Sequence, residues 1–111
     1  IEKERAVHLV RLYGSNIGQV VSYMDNNDSK LPDDLYGQLM YAMEAEMAMT
    51  PVDFLLRRTG YILFNIDYAL QWKDEVINVM QQYFGWKDDV RNQYEQGLRI
   101  EIERATEAIA E

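Results

Sequence analysis

The sequence predicts an all-α fold, a compact orthogonal bundle of about six or seven helices closed by a long C-terminal helix. Three observations carry that prediction. Apolar residues recur three and four positions apart along most of the chain, as in Leu39, Met40, Met43 and Met47 or Leu98, Ile102, Ala105 and Ile109, which is the spacing of one helix face. No stretch alternates convincingly with the period of two that a half-buried strand needs. Gly14, Gly60 and Gly85 stand where the stripes stop, as glycine does just beyond a helix end.

In IEKERAVHLVRLYG, residues Ala6, Leu9, Val10 and Tyr13 form the first stripe, and Gly14 supplies a left-handed stop. Ser15 or Asn16 can cap the short helix that follows, with Ile17, Val20, Val21 and Met24 on its apolar side. DNNDSKLPDD reads as a polar solvent loop. The stripe resumes from Tyr36 to Met47. Glu44 and Glu46 fall about 80° to either side of its centre at about 100° per residue, so they flank the buried face. Thr50, Pro51 and Asp53 then start a helix, with a hydroxyl cap, a proline at the first helical position and an acid at the third. It ends near Thr59 and Gly60.

Residues 61–71 are the most hydrophobic stretch. Ile62, Leu63, Ile66, Ala69 and Leu70 group on one side and Tyr61, Phe64 and Tyr68 on the other. A helix apolar on both faces is central, or it meets a second body. KDEVINVMQQYFG gives the next helix through Val76, Ile77, Val79, Met80 and Phe84, stopped by Gly85. From Val90 and Tyr94 to Ile109, the last stripe makes a long amphipathic helix.

The length of 111 residues suits a single domain, 1–111, able to remove about 65% of its unfolded surface from water. Eleven basic against nineteen acidic residues give a net charge of −8. That charge repels a phosphate backbone, and no basic stripe is interleaved with aromatics, so nucleic acid is not an expected partner. Cysteine is absent, which removes disulfides, thiolate metal sites and a cysteine nucleophile. GYILFNIDYAL is broken by Asn65 and Asp67 and is too short to span a bilayer. With no signal peptide in view, the cytoplasm is the simplest compartment. The chain opens on Ile1 inside a helical pattern, which suggests a piece excised from a longer polypeptide.

Chemistry-bearing residues are sparse. His8, the sole histidine, lies opposite the first stripe and reads as a surface residue, because metal or acid–base work needs convergent partners. DNNDSKLPDD lacks the glycine at the sixth place and the glutamate at the twelfth that a calcium loop requires. No GxGxxG, Walker or GxSxG pattern occurs, so no catalytic, cofactor-binding or metal residue is expected. Met40, Met43, Met47 and Met49 cluster around one helix and read as core filling.

Arg57 and Arg58 remain. Neighbouring helical residues point about 100° apart, so one arginine is expected to turn inward and the other to lie along the surface. An inward guanidinium needs an acid, and Glu44 and Glu46 are the candidates. The competing reading is an anion site at the two arginines. On the residues alone, a structural or protein-interaction domain and an anion-binding regulatory domain both stay open.

Three segments together resemble a known family: RLYGSN at 11–16, YAMEAEMAMTPVDFLLRRTGYILF at 41–64, and GW at 85 with the charged helix after it. They are similar to the C-terminal helical domain of FAD-dependent glycerol-3-phosphate dehydrogenases and the related bacterial α-glycerophosphate oxidases. That domain's pattern is a tyrosine–glycine turn, an acidic helix ending in a hydrophobic–threonine step, and a helix closing in Arg-Arg-Thr. Its elements fall here on Tyr13-Gly14-Ser15-Asn16, on Glu44 to Thr50, and on Arg57-Arg58-Thr59, across nearly the whole chain. The wording MAMTPVDFLLRRTG leans toward enzymes of low-GC Gram-positive bacteria.

The resemblance implies a parent that oxidises sn-glycerol 3-phosphate with FAD held in upstream domains. Those domains would be this fragment's partners, with a homo-oligomer and a peripheral membrane location possible for the parent. It implies no cofactor and no catalytic residue on this fragment, which would be a structural or interaction domain.

Overall fold

The computed structural model describes residue 11 and residues 13–110, with side chains left aside at 15 and 108–110. The first stripe (Ala6, Leu9 and Val10) and His8 lie outside the described residues. No strand occurs among those described, and the all-α class stands. The chain divides into two compact units, Ile1–Met47 and Ala48–Glu111.

In the first unit, a 3-10 turn at Gly14–Asn16 leads into α1 (Ile17–Met24), and a loop connects α1 to α2 (Asp33–Ala45). Gly14 takes a left-handed φ of 53°. Buried Val20 of α1 and Tyr41 of α2 form a small core covered by Tyr13, Ile17, Tyr23 and Met24. The Tyr13 ring meets Tyr41 edge-on at 5.2 Å, and the Tyr13 hydroxyl donates to Oε1 of the fully buried Gln38 at 3.3 Å. The helices approach closely at Gly37, where a Cβ would lie 2.6 Å from the Val20 carbonyl oxygen.

The loop before α2 is more ordered than its composition suggests. Asn27 Nδ2 donates to the Leu31 carbonyl at 2.8 Å and to Asp33 Oδ1 at 2.9 Å. Its Oδ1 accepts from the Ser29 N–H at 2.9 Å and the Ser29 hydroxyl at 2.6 Å. This Asx-type bonding satisfies the backbone locally and carries Leu31 into the core at 3% exposure. Asp33 and Asp34 in the first turn of α2 complement its positive end.

In the second unit, Pro51 and Val52 open a helical segment that becomes a π-helix over Asp53–Arg58. Gly60 turns the chain at φ 72° into α3 (Tyr61–Phe64), followed by α4 (Ile66–Phe84) and α5 (Asp88–Ala110). The expected continuous helix over 61–71 is therefore two pieces. Asn65, at φ −150° and ψ 68°, leaves helical conformation, and its side chain accepts the Tyr68 N–H at 3.4 Å to start α4. α4 then absorbs what the sequence reads as a separate helix from Lys73.

Ala48, Phe54, Leu55, Tyr61, Ile62, Ala69, Val76, Ile77, Met80 and Leu98 are buried apolar side chains of this unit. Gly85 ends α4 at φ 71°, with the amides of Gly85 and Trp86 donating to the Gln81 carbonyl at 2.8 and 3.1 Å. Among the described residues no helix is long and apolar enough to cross a membrane.

Methionine is only partly core filling. Met43 and Met80 are buried, Met24 and Met40 half-buried, but Met47 and Met49 are exposed.

Candidate functional site: the arginine segment and its turn

The arginine segment is built on Asp53. The Asp53 N–H donates to Thr50 Oγ1 at 3.0 Å, the hydroxyl cap with Pro51 inside it. Its Oδ2 accepts the Met49 N–H at 3.3 Å, and its Oδ1 accepts Arg57 Nη1 at 2.8 Å. One aspartate thus serves as helix-start acid and as the anion for the arginine one turn on.

Neither arginine turns inward. Both are exposed, the Arg57 side chain at 71%. The expectation of an inward guanidinium assumed α-helical pitch. Here the Thr59 N–H donates to the Phe54 carbonyl at 3.0 Å, a bond to the fifth residue back, so each residue advances by less than in an α-helix. The inward positions go to Phe54, Leu55 and Thr59, and Arg57 and Arg58 share the outer side. Glu44 is exposed in the last turn of α2 and Glu46 is the half-buried residue that ends it.

The residue that sequence reasoning missed is Thr59, 3% exposed. Its hydroxyl donates to the Phe54 carbonyl at 3.0 Å and lies 3.4 Å from that of Leu55, while accepting the Tyr61 N–H at 3.2 Å. It closes the widened turn from both sides. A threonine directly before glycine at a helix end is the signal that could have found it. Beyond Gly60, the Tyr61 ring packs on Phe64 at 5.5 Å and on Tyr68 at 5.0 Å, leaving Leu63 and Phe64 exposed.

A groove of about 260 Å³ runs between α4 and α5. Leu70, Ile77, Leu98 and Ile102 give it apolar walls, and Lys73 and Arg99 stand among three acids on its lining. Lys73 Nζ pairs with Asp74 at 3.0 Å. At the far turn, Gln81 Nε2 donates to the Trp86 carbonyl at 3.1 Å and to Asp88 at 3.3 Å, and its Oε1 accepts Arg91 Nη1 at 2.7 Å. Among the described residues no group of histidines and acids is set to hold a metal ion. In the first unit, burial first, then the Asp28 and Glu44 carboxylates, push the Tyr36 phenol above its ordinary pKa.

Ion pairs, caps and aromatic packing make up this geometry, and its class is that of an all-α domain with a π-helical Arg-Arg-Thr turn. The chain belongs to the family described as the C-terminal domain of alpha-glycerophosphate oxidase, whose family model matches residues 1–91. It is 34% identical over 108 residues to the aerobic glycerol-3-phosphate dehydrogenase of Staphylococcus epidermidis, covering 95% of this chain and 19% of that protein. The enzyme of the same name from Staphylococcus saprophyticus is 36% identical over 111 residues, with the same coverage. Among solved structures, the glycerol-3-phosphate dehydrogenase from Bacillus halodurans complexed with FAD superimposes with a TM-score of 0.88 at 35% identity, over 93% of this chain and 22% of that one. The chain thus spans about a fifth of the relatives it matches.

Proposed function

We propose that this chain is the accessory C-terminal helical domain of an FAD-dependent enzyme that oxidises sn-glycerol 3-phosphate to dihydroxyacetone phosphate. The observation that carries this reading is asymmetric coverage: relatives named for that activity match 95% of this chain with only 19% of their own length. In this reading, FAD and substrate are held by preceding domains of the same polypeptide. The fragment supplies a packing surface to those domains or to a second copy. The parent works in the cytoplasm in glycerol metabolism, with a peripheral place at the membrane's inner face. The single-domain reading of 1–111 belongs to the same proposal.

Two preparations test it. The isolated 111-residue chain is expected to purify colourless and to leave glycerol 3-phosphate untouched. The polypeptide from the complete reading frame is expected to carry flavin absorbance and to reduce an artificial acceptor with glycerol 3-phosphate. A flavin spectrum on the isolated chain overturns the accessory assignment. A complete polypeptide without flavin, or unable to use this substrate, overturns the parent assignment.

A further inference from the structure

The six methionines occupy contrasting chemical situations. Met43 is 5% and Met80 0% exposed, while Met47 is 77% and Met49 58% exposed. Met47 is also the one described non-glycine residue with positive φ, at 58°, so its backbone projects an unbranched side chain from a left-handed turn. Met49 is anchored through its backbone N–H to the Asp53 carboxylate, which leaves its thioether out of the bonding.

We propose that Met47 and Met49 are each sites of reversible oxidation by hydrogen peroxide, a reaction from which Met43 and Met80 are shielded. In the step, a sulfur lone pair attacks one peroxide oxygen; the S–O bond forms and the O–O bond breaks. The departing oxygen takes up the proton and leaves as water. Sulfur loses two electrons and the peroxide gains them, giving the sulfoxide that methionine sulfoxide reductases return to the thioether. Exposure decides the site twice over. Peroxide reaches only a solvent-facing sulfur, and a polar sulfoxide there disturbs no packing, whereas inside the core it would. Met47 ends one unit and Met49 lies in the other. The inference does not depend on the parent's activity.

The test exposes the folded 111-residue chain to hydrogen peroxide and follows each methionine by peptide mass mapping, beside the same chain unfolded in urea. Met47 and Met49 are expected to oxidise at close to their unfolded rates, and Met43 and Met80 roughly tenfold or more below theirs. Reductase treatment is expected to remove the added oxygen at 47 and 49. A chain with Met47→Leu and Met49→Leu is expected to lose the fast phase. Met43 or Met80 reacting as fast as the exposed pair overturns the proposal. So does a fast phase that survives the double substitution, or oxidation at 47 and 49 that the reductases cannot reverse.

Discussion

Gly37→Ala isolates the closest helix–helix approach of the first unit. In an ordinary helix interior, alanine is favoured over glycine by about 1 kcal/mol. At Gly37 the added methyl would lie 2.6 Å from the Val20 carbonyl oxygen, 2.9 Å from Met24 Cγ and 3.3 Å from Val20 Cγ1. Met24 can swing its flexible side chain away. The carbonyl is backbone and can retreat only if α1 moves off α2 by several tenths of an ångström. Overpacking of this kind costs about 1–3 kcal/mol, and a rigid neighbour places it in the upper part. Offset by the propensity gain, the net loss is about 1–2 kcal/mol. Urea melts followed by far-UV circular dichroism should then show the midpoint falling by about 1 M, taking a slope of about 1–2 kcal/mol per molar. Gly97→Ala in α5 is the control, since nothing lies within 4 Å of its added Cβ; it should gain about 0.5–1 kcal/mol. A Gly37→Ala midpoint at or above wild type refutes the close approach.

Thr59→Val keeps the shape but removes a buried hydroxyl that serves Phe54 and Tyr61; urea melts should show a loss of about 1–3 kcal/mol, and an unchanged midpoint would mean the hydroxyl contributes nothing. Thr50→Ala should cost about 1 kcal/mol through the lost bond to the Asp53 N–H, read in the same melts. Because folding holds the Tyr36 phenol neutral, its stabilisation is full below the ordinary tyrosine range near pH 10 and declines as pH rises above it; Tyr36→Phe should flatten that alkaline decline in melts run across the range. Arg57→Ala should cost only about 0–1 kcal/mol, since its pair with Asp53 is exposed. The pairing of an arginine with Glu44 or Glu46 stands as a proposal for double-mutant cycles. A coupling of about 0.2–1 kcal/mol is expected in one of them, and zero coupling in every cycle sinks it.

Helices with an uninterrupted period and a clear stop were legible from the sequence. Ile17, Val20 and Met24 marked α1; Leu39 and Met43 marked α2; Leu98 and Ile102 marked α5, and Gly85 marked the end of α4. The break at Asn65 was missed because the apolar pattern runs straight through it. The signal was nonetheless present, as asparagine followed by Asp67 is a helix start. The π-helix was not legible, because Asp53–Arg58 carries good α-helical spacing and the fifth-residue bond is chosen by packing of Phe54 and Leu55. That choice also turned both arginines outward. Thr50 and Asp53 were legible as a cap because capping is local. The ordered loop around Asn27 was hidden because composition registers polarity but not which amide bonds to which carbonyl.

The polar ties of Gln81 reach Trp86, Asp88 and Arg91, spanning 5, 7 and 10 residues of chain. Closing a loop costs entropy that grows with the logarithm of its length, so a reversal fastened over such short separations forfeits little chain freedom. The aromatic run beside it is equally local, with Phe84 stacked on Trp86 at 5.6 Å and Trp86 against Tyr94 at 4.6 Å. The α4–α5 hairpin therefore carries its own fastening, and no segment distant in sequence has to be gathered in to hold the turn.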